Sequence, residues 1–427
     1  MPKIYVCVDP GGSQTKVIYQ LPKQEKLQYL LMPPELEEIK SESLKRYLDK
    51  QPSFANPAPI KEAYLSVADQ IFAVGEFASE FYPEDRIQEV KYENALYKVL
   101  AIVGIILESN QIKSSKIQLY LAILLPYNEY EDRGTFKEKI EQYLSKFTFR
   151  KKSYSIELKK FICRPEGGGL LALHNSADKT WQQSKKIGFL MLGHRNISAL
   201  YFDRGKLSGE SPLIGLSQFF DEVIERTSML NRERIAEAVF TAIDNHWSEQ
   251  RSSYSSEDRY KTKSSAERTT LPNWSESESI ERLTNARDSD LKAQEIQKIS
   301  SVIEVAEEEY WSRISKFLAR IFPDTLDAVI ISGGASKLLK PRLEKHFNNM
   351  YSSYRDSNYS YRNSDYYVRS SLTRIDYNRP LVPIIWGEEY VSKIERIFDF
   401  KEADSSQSLS SRLIDAYGLF KILQSKK

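Results

Sequence analysis

The chain has 427 residues, 28% of them charged, and a formal net charge of +2. This length exceeds one typical hydrophobic core, so two or more domains are expected. The near-neutral balance gives no field of one sign that would favour nucleic acid as a direct partner. The longest unbroken apolar run, Val99 to Leu107, is too short to span a bilayer and predicts a buried helix.

Two further features of composition bear on the compartment. The N-terminus shows no basic region followed by an apolar core, so we expect no signal peptide and a soluble cytoplasmic protein. Cys7 and Cys163 both lie in apolar, strand-like runs, which favours buried free thiols in a reducing compartment over a disulfide.

The opening stretch predicts two antiparallel strands joined by a tight loop. The apolar, β-branched run Lys3–Val8 leads into a glycine-centred turn and leaves through Val17–Tyr19. Six residues of this turn carry groups that suit phosphate oxygens or a metal ion: Asp9, Gly11, Gly12, Ser13, Thr15 and Lys16.

The chemistry of this turn fits an anionic ligand. Its two glycines let the backbone turn sharply and approach a ligand closely, and successive N–H groups can point into one concavity. The two hydroxyls add donors, and the lysine adds a point charge. Asp9 is placed to hold Mg²⁺ through water, since that ion prefers oxygen ligands and keeps its hydration. The alternative is an ordinary Gly-Gly hairpin.

The remainder of residues 1–185 predicts one α/β domain. Its strands are expected around Leu27–Leu31, Ala63–Ala68, Gln70–Val74, Lys116–Leu125 and Ser153–Cys163, its helices at Asn94–Leu107 and Glu129–Leu144, and a mixed helical or loop segment at Glu35–Leu48. The last strand delivers Glu166 to a glycine-rich turn before a short helix, where a carboxylate could orient or deprotonate a water. A solvated charge at a helix entry is the alternative.

The chain then repeats the opening pattern, which suggests two similar domains facing one cleft. Lys186–Leu192 and Ala199–Phe202 are expected to be antiparallel strands around a second glycine-bearing turn. The candidate phosphate-binding residues of that turn are Gly193, His194, Arg195, Asn196 and Ser198. For Arg195, a solvated turn residue is the alternative to a phosphate contact.

Residues 186–409 are predicted to form this second domain. The expected elements are helices at Gly215–Arg226 and Arg232–Asn245, a long helix ending at Phe322, a buried strand at Ala328–Ser332 and a short strand within Arg379–Trp386. Gly333, Gly334 and Ala335 follow the buried strand and would let a nucleotide base lie against bare backbone, unless they serve close helix packing.

Three segments remain. Trp247–Ser279 is Ser-rich and predicts an exposed or partly disordered insertion. Asn348–Tyr377 is crowded with tyrosines, serines and arginines, and predicts either a mobile polar insertion or a docking surface. Ser410–Lys427 predicts an amphipathic helix that packs back on the first domain, with a membrane-surface role as the alternative.

In this order the turns resemble the superfamily of actin, heat-shock chaperone ATPases and sugar kinases, and most closely the ParM (StbA) branch of bacterial actin-like ATPases. The segments that carry the resemblance are Asp9 to Lys16, Phe72 to Ala78, Leu124 to Tyr127, Pro165 to Gly167, Gly193 to Ser198, Gly333 to Ala335 and Ala416 to Phe420. They span nearly the whole chain apart from the two insertions. The resemblance implies an α/β, actin-like fold, in which two similar lobes with RNase H-like βββαβα cores surround a nucleotide cleft.

The resemblance also implies a function. It implies a cytoskeletal protein that binds ATP (or GTP) with Mg²⁺, hydrolyses it slowly, and polymerises with itself to segregate plasmid DNA through an adaptor protein. Glu166 would be the catalytic glutamate and Asp9 the Mg²⁺-side carboxylate. The second loop of the family usually opens with an aspartate, and Met191 stands there, so hydrolysis is less secure than binding. A cell-shape cytoskeleton and a small-molecule kinase remain alternatives.

Overall fold

A computed structural model of the chain describes residues 1–22, 24–52, 56–83, 89–113, 116–175, 184–227, 230–253, 270–323, 325–347, 382–398, 400 and 406–425. The predicted insertion Asn348–Tyr377 therefore lies outside the described residues. Every described helix is too short or too polar to traverse a lipid bilayer.

The first lobe is built on a five-stranded sheet with the order β10-β7-β1-β2-β3. Its strands are β1 (Lys3–Pro10), β2 (Thr15–Gln20), β3 (Gln28–Met32), β7 (Ile117–Leu125) and β10 (Ile156–Pro165). β1 pairs antiparallel with β2 and parallel with β7. The central strands are nearly continuous apolar runs because both faces of the sheet are covered.

A smaller antiparallel sheet extends this lobe, in the order β4-β6-β5-β8-β9. Its strands are β4 (Leu36–Glu38), β5 (Ala63–Val67), β6 (Gln70–Val74), β8 (Phe147–Phe149) and β9 (Lys152–Tyr154). The single strand predicted over Ser153–Cys163 is wrong, because the chain leaves the smaller sheet after Tyr154 and enters the main sheet at Ile156. The alternation of apolar residues continues through this change of sheet and does not reveal it.

Four helices complete the first lobe: α1 (Ser41–Lys50), α2 (Lys91–Ser109), α3 (Arg133–Ser145) and α4 (Gly168–Asn175). α2 contacts strands of both sheets. A Cβ at its Gly104 would lie 2.2 Å from the ring of Phe149, so the absent side chain allows the smaller sheet to pack closely. Thus α2 holds the two sheets of the lobe together.

The second lobe repeats the first sheet's topology, with the strand order β13-β12-β11-β14-β15. Its strands are β11 (Lys186–Leu192), β12 (Ile197–Asp203), β13 (Lys206–Glu210), β14 (Ala328–Ser332) and β15 (Ile384–Trp386). As in the first lobe, the first strand pairs antiparallel with the second and parallel with the fourth. This equivalence confirms the predicted internal repeat.

The helices of the second lobe are α5 (Leu216–Arg226), α6 (Arg232–Ser253), α7 (Glu278–Glu281), α8 (Ser289–Ile321), α9 (336–347) and α10 (Val391–Glu395). In the described part of Trp247–Ser279, the prediction of an exposed loop is wrong where the chain is helical and where Trp274 is buried, although most of the other described residues there are exposed or half-buried. α6 continues to Ser253, and Trp274 is only 2% exposed within the core. The buried Trp274 indole anchors this segment to the core. The prediction missed it because it was made from the mean composition of the segment, which is polar.

The last helix, α11 (Ser406–Ser425), packs against α4, β1 and β2 of the first lobe. Gly418 and Gly169 face each other where α11 crosses α4, and a Cβ at Gly418 would lie 1.9 Å from the Gly169 carbonyl oxygen. Both cysteines are buried and free, as expected, and the Cys7 thiol donates to the Ala416 carbonyl oxygen at 3.2 Å.

Candidate functional site

A cleft of about 830 Å³ lies between the two lobes. The predicted site residues that line it are Asp9, Gly11, Gly12, Ser13, Lys16, Glu166, Gly193, His194, Arg195, Asn196, Gly333, Gly334 and Ala335. Thr15 and Ser198 are fully buried and do not line the cleft. Three turns that are far apart in sequence therefore meet around one cavity.

The first turn joins β1 to β2 and is tied together by its own polar groups. The Gly11 N–H donates to the Asp9 carbonyl oxygen at 2.9 Å, and Lys16 Nζ lies 2.8 Å from Asp9 Oδ2. A Cβ at Gly11 would lie 2.7 Å from the Gln14 carbonyl oxygen, so glycine is needed for this tight backbone. The turn presents the Lys16 ammonium and bare backbone to the cleft.

The second turn joins β11 to β12 directly opposite the first. The Gly193 N–H donates to the Asn196 carbonyl oxygen at 3.1 Å. A Cβ at Gly12 would lie only 2.9 Å from Arg195 Cβ, which brings the two turns into contact across the lobes.

Arg195 is 8% exposed, so the alternative of a solvated turn residue is wrong. It crosses to the first lobe, where Nη1 lies 3.4 Å from Glu129 Oε1 and Nη2 donates to the Glu89 carbonyl oxygen. Through these contacts the Arg195 guanidinium links the second lobe to the first lobe, beside the two turns.

Glu166 is held at the centre of a buried polar cluster. Its Oε1 accepts from Lys91 Nζ, and its Oε2 accepts from Ser198 Oγ at 2.6 Å and from Asn196 Nδ2 at 2.8 Å. Burial alone would raise the pKa of Glu166, but Lys91 and the hydrogen bonds outweigh it and lower the pKa to about 2. The carboxylate is therefore ionised and fixed in orientation, and the alternative of a solvated charge is wrong.

The positions of Thr15 and Ser198 follow from this arrangement. Ser198 lies behind Glu166, between that carboxylate and Ser211 Oγ at 2.8 Å, so it orients the glutamate and does not face the cleft. Thr15 is completely buried within β2, and its hydroxyl oxygen has no hydrogen-bond partner among the residues that the structure describes.

Lys91 is a site residue that the sequence reasoning missed. It is 6% exposed and lies between two carboxylates, with Nζ 3.8 Å from Asp9 Oδ1 in addition to its bond with Glu166. Burial would lower the pKa of Lys91, but both carboxylates raise it, so it is charged. Lys91, Asn94 and Lys98 all line the cleft from α2. Their i, i+3, i+7 spacing on an apolar helix was the available signal.

Asp415 of α11 was also missed, and it supports the turn that carries Glu166. It accepts the Gly167 N–H at 2.6 Å, the Gly169 N–H at 2.8 Å and the Leu170 N–H at 2.9 Å. These groups include the free donors at the start of α4. Burial raises the pKa of Asp415 to about 7, against the effect of the backbone donors. The sequence signal was a single acid between Ile414 and Ala416 on a buried helix face.

The third turn follows β14 at the far end of the cleft. Gly333 adopts a φ of +104°, and a Cβ there would lie 2.3 Å from the Leu192 carbonyl oxygen, so it serves close packing. A Cβ at Gly334 would have no atom of the described residues within 4 Å, so this backbone is open. Lys337 and Asp244 also line the cleft, and Lys337 Nζ lies 2.7 Å from Asp244 Oδ1. Close packing is thus observed at Gly333, while binding of a base beside Gly334 stays a prediction.

The residues fit a Mg²⁺ ion that arrives together with phosphate. In the described part of the chain, no group of three His, Cys, Asp or Glu side chains could hold a metal ion. Mg²⁺ commonly needs just one or two carboxylates, its remaining ligands being water and phosphate oxygens. Asp9 supplies one carboxylate at the edge of the cleft. Met191 lines the cleft where the resemblance leads one to expect a second.

No family model matches the chain, and no curated protein matches it in sequence. Among solved structures, two crystal structures of Ta0583, an archaeal actin homologue, match with TM-scores of 0.52 and 0.51 at 13% identity, over 99% of this chain and 100% of that one. An Alp12 filament structure matches with a TM-score of 0.49 at 14% identity, and Bacillus thuringiensis ParM with ATP with 0.49 at 11%, each over 99% of both chains. The repeated sheet topology, the cleft between the lobes and the likeness to Ta0583 together establish that this chain has the actin-like fold.

Proposed function

We propose that the chain binds a nucleoside triphosphate, ATP or GTP, with Mg²⁺ in the cleft and assembles with itself into filaments. The observation that carries the proposal is the pair of glycine turns, which come from separate lobes and touch at Gly12 and Arg195. Backbone N–H groups and Lys16 on one side, and the second turn on the other, would hold the phosphates. The turn around Gly334 would hold the base. Bound Mg²⁺ would neutralise phosphate charge, with Asp9 facing it through water.

In this proposal Glu166 orients the attacking water. A carboxylate with a pKa of about 2 is ionised at neutral pH but is a weak proton acceptor. Both of its oxygens already accept hydrogen bonds, which fix its position. Glu166 would orient the water but accept its proton poorly, and position 191 supplies no second carboxylate. Both features favour slow hydrolysis. Slow hydrolysis suits a protein whose nucleotide state controls assembly.

Nucleotide binding would favour closure of the lobes. A ligand that contacts both lobes stabilises the conformation in which both sets of contacts exist. The lobes already meet beside the cleft, where Ser211 Oγ accepts the Tyr127 N–H at 2.8 Å and the Ser211 N–H donates to Asn128 Oδ1 at 3.0 Å. Closure about such contacts would alter the surfaces offered to the next subunit. A head-to-tail contact that does not close into a ring then gives a filament.

The biological role that we propose is segregation of plasmid DNA through an adaptor protein in the cytoplasm. A cell-shape cytoskeleton would use the same polymer with a different attachment. High-speed pelleting with and without ATP and Mg²⁺ tests assembly, and retention of a fluorescent nucleotide tests binding. Sedimentation that requires nucleotide supports the filament. Turnover of a small-molecule phosphate acceptor without sedimentation would favour a kinase, and no retained nucleotide would contradict both.

A further inference from the structure

The free edge of the first lobe's main sheet is formed by β10. Within the described residues, β10 pairs with β7 on one side and with no strand on the other. The Glu166 N–H donates to the Leu125 carbonyl oxygen of β7 at 2.8 Å. Because the backbone groups of successive residues point to opposite edges, the N–H and C=O groups of Phe161 and Cys163 point away from β7.

Two details agree with this assignment of the open edge. Pro165, the next residue of the outward set, has no N–H to pair, and proline in sheets is confined to such positions. The Cys163 carbonyl oxygen accepts from Arg164 Nη1 at 3.0 Å, a side-chain donor in the place of a neighbouring strand. The N–H groups of Phe161 and Cys163 and the Phe161 carbonyl oxygen face the open edge, and an added strand would replace Arg164 as the donor to the Cys163 carbonyl oxygen.

A groove of about 440 Å³ runs along this edge, between β10 and α3. Four of the side chains that line it are cationic: Arg133, Lys137, Lys160 and Arg164. No aspartate or glutamate is among the described residues that line it. Tyr130 and Phe161 add aromatic surface, and the Arg133 guanidinium lies 4.4 Å from the centre of the Tyr130 ring.

Cys163 also lines the groove, but it is not a reactive thiol. Burial raises the pKa of the Cys163 thiol to about 12, even though Arg133 and Arg164 oppose the shift. The thiol is therefore protonated at neutral pH and is a poor nucleophile. The groove therefore offers positive charge beside the outward backbone groups of β10.

We propose that this groove binds an extended acidic peptide segment of a partner protein, which adds as a sixth strand along β10. Strand addition supplies affinity through main-chain hydrogen bonds, and the groove selects the side chains. Acidic side chains at alternate positions of the peptide would lie on the α3 face of the added strand, near Arg133 and Lys137. Five residues span about 17 Å, enough to cover 160–164. Nucleic acid is less suited, because its sugar–phosphate backbone has no regular series of N–H and C=O groups to pair with the strand.

The test uses a fluorescein-labelled Glu-Val-Glu-Val-Glu peptide, with binding followed by anisotropy at moderate salt. Its controls are the fully N-methylated peptide, which keeps the charge but loses the N–H donors, and a Lys-Val-Lys-Val-Lys peptide. We expect both controls to bind at least tenfold more weakly. Lys137→Glu reverses a charge in the groove and should weaken binding at least tenfold. Lys139→Glu makes the same change on the same helix outside the groove and should leave affinity within twofold.

Hydrogen exchange locates the bound peptide. We expect slower exchange of the Phe161 and Cys163 amides on binding, with little change at Ile162, whose N–H already faces β7. Equal weakening by the two lysine variants, or equal binding of the N-methylated peptide, would reduce the effect to general charge attraction and overturn the proposal. So would an oligonucleotide that binds in place of the peptide with the same dependence on Lys137, a second copy of this chain as the occupant of the edge, or no binding at all.

Discussion

Replacing Lys91 with methionine removes the ammonium group that neutralises Glu166, while most of the side chain's apolar length stays in place. Lys91 is 6% exposed and Glu166 is 8% exposed, so solvent does little to compensate the lost charge. The Glu166 carboxylate would keep its bonds from Ser198 and Asn196 but lose its cation. We expect this variant to be markedly less stable than the wild type at neutral pH.

The loss of folding free energy in Lys91→Met can be calculated in two ways. The pKa of Glu166 falls from 4.5 to about 2 on folding, which corresponds to about 3 kcal/mol of folding free energy. Removing one partner of a buried ion pair costs about 3–5 kcal/mol, because the other charge is left buried and unpaired. We therefore expect Lys91→Met to lower the free energy of unfolding by about 3 kcal/mol near neutral pH.

The pH dependence follows from the direction of the shift. Because the folded-state pKa of Glu166 is lowered, its stabilising contribution is present above pH 4.5 and is lost as the pH falls toward about 2. Lys91→Met lacks this contribution, so its deficit relative to the wild type should shrink as the pH falls below 4.5. Urea unfolding followed by circular dichroism, at neutral and acidic pH, measures the difference.

The double variant Lys91→Met with Glu166→Gln is the matched control. It removes both charges, so it should recover most of the stability that Lys91→Met loses. A loss below about 1 kcal/mol in the single variant, constant with pH, would show that the Lys91 charge does not stabilise the buried Glu166 carboxylate. So would a double variant as unstable as the single one.

Three further predictions concern the cleft and its support. Gly12→Val places side-chain atoms against Arg195 Cβ, which would lie 2.9 Å from the new Cβ, so we expect nucleotide affinity to fall at least about tenfold by fluorescence titration. Gly134→Val is the control: its Cβ would have no described atom within 4 Å, so nucleotide affinity should stay unchanged. Glu166→Gln should slow phosphate release at least about a hundredfold while a fluorescent nucleotide is still retained, and unaltered turnover would exclude the proposed role. Because the pKa of Asp415 is raised from 3.8 to about 7, its contribution to stability falls as the pH rises through that interval. Asp415→Asn should remove that part of the pH dependence of unfolding, and an unchanged profile would show that Asp415 does not titrate there.

Much of the fold was predictable because its signals are local. Each strand–turn–strand unit, around Gly11 and around Gly193, consists of consecutive residues. The long amphipathic helix that ends near Phe322 has apolar residues at helical spacing. The strand β8 (Phe147–Phe149) was missed, since three residues between a helix and a turn carry too little pattern. The boundary between β9 and β10 depends on which sheet each strand joins, and that is a tertiary property.

The candidate site was predictable as a set of turns but not as a network. Lys91 and Glu166 are 75 residues apart, and Asp415 lies 248 residues from Gly167, so their contacts exist only after folding. A buried lysine or aspartate looks in sequence like a solvated charge on an amphipathic helix. The inward orientation of Ser198 likewise depends on the position of Glu166, which comes from the other lobe.

A structure of the chain with a non-hydrolysable ATP analogue and Mg²⁺ would show whether the two glycine turns hold one triphosphate between them. We expect phosphate density between the turn at Gly11 and Gly12 and the turn at Gly193, with the base near Gly334. Nucleotide bound elsewhere on the surface, or a cleft that stays empty at saturating analogue, would contradict it.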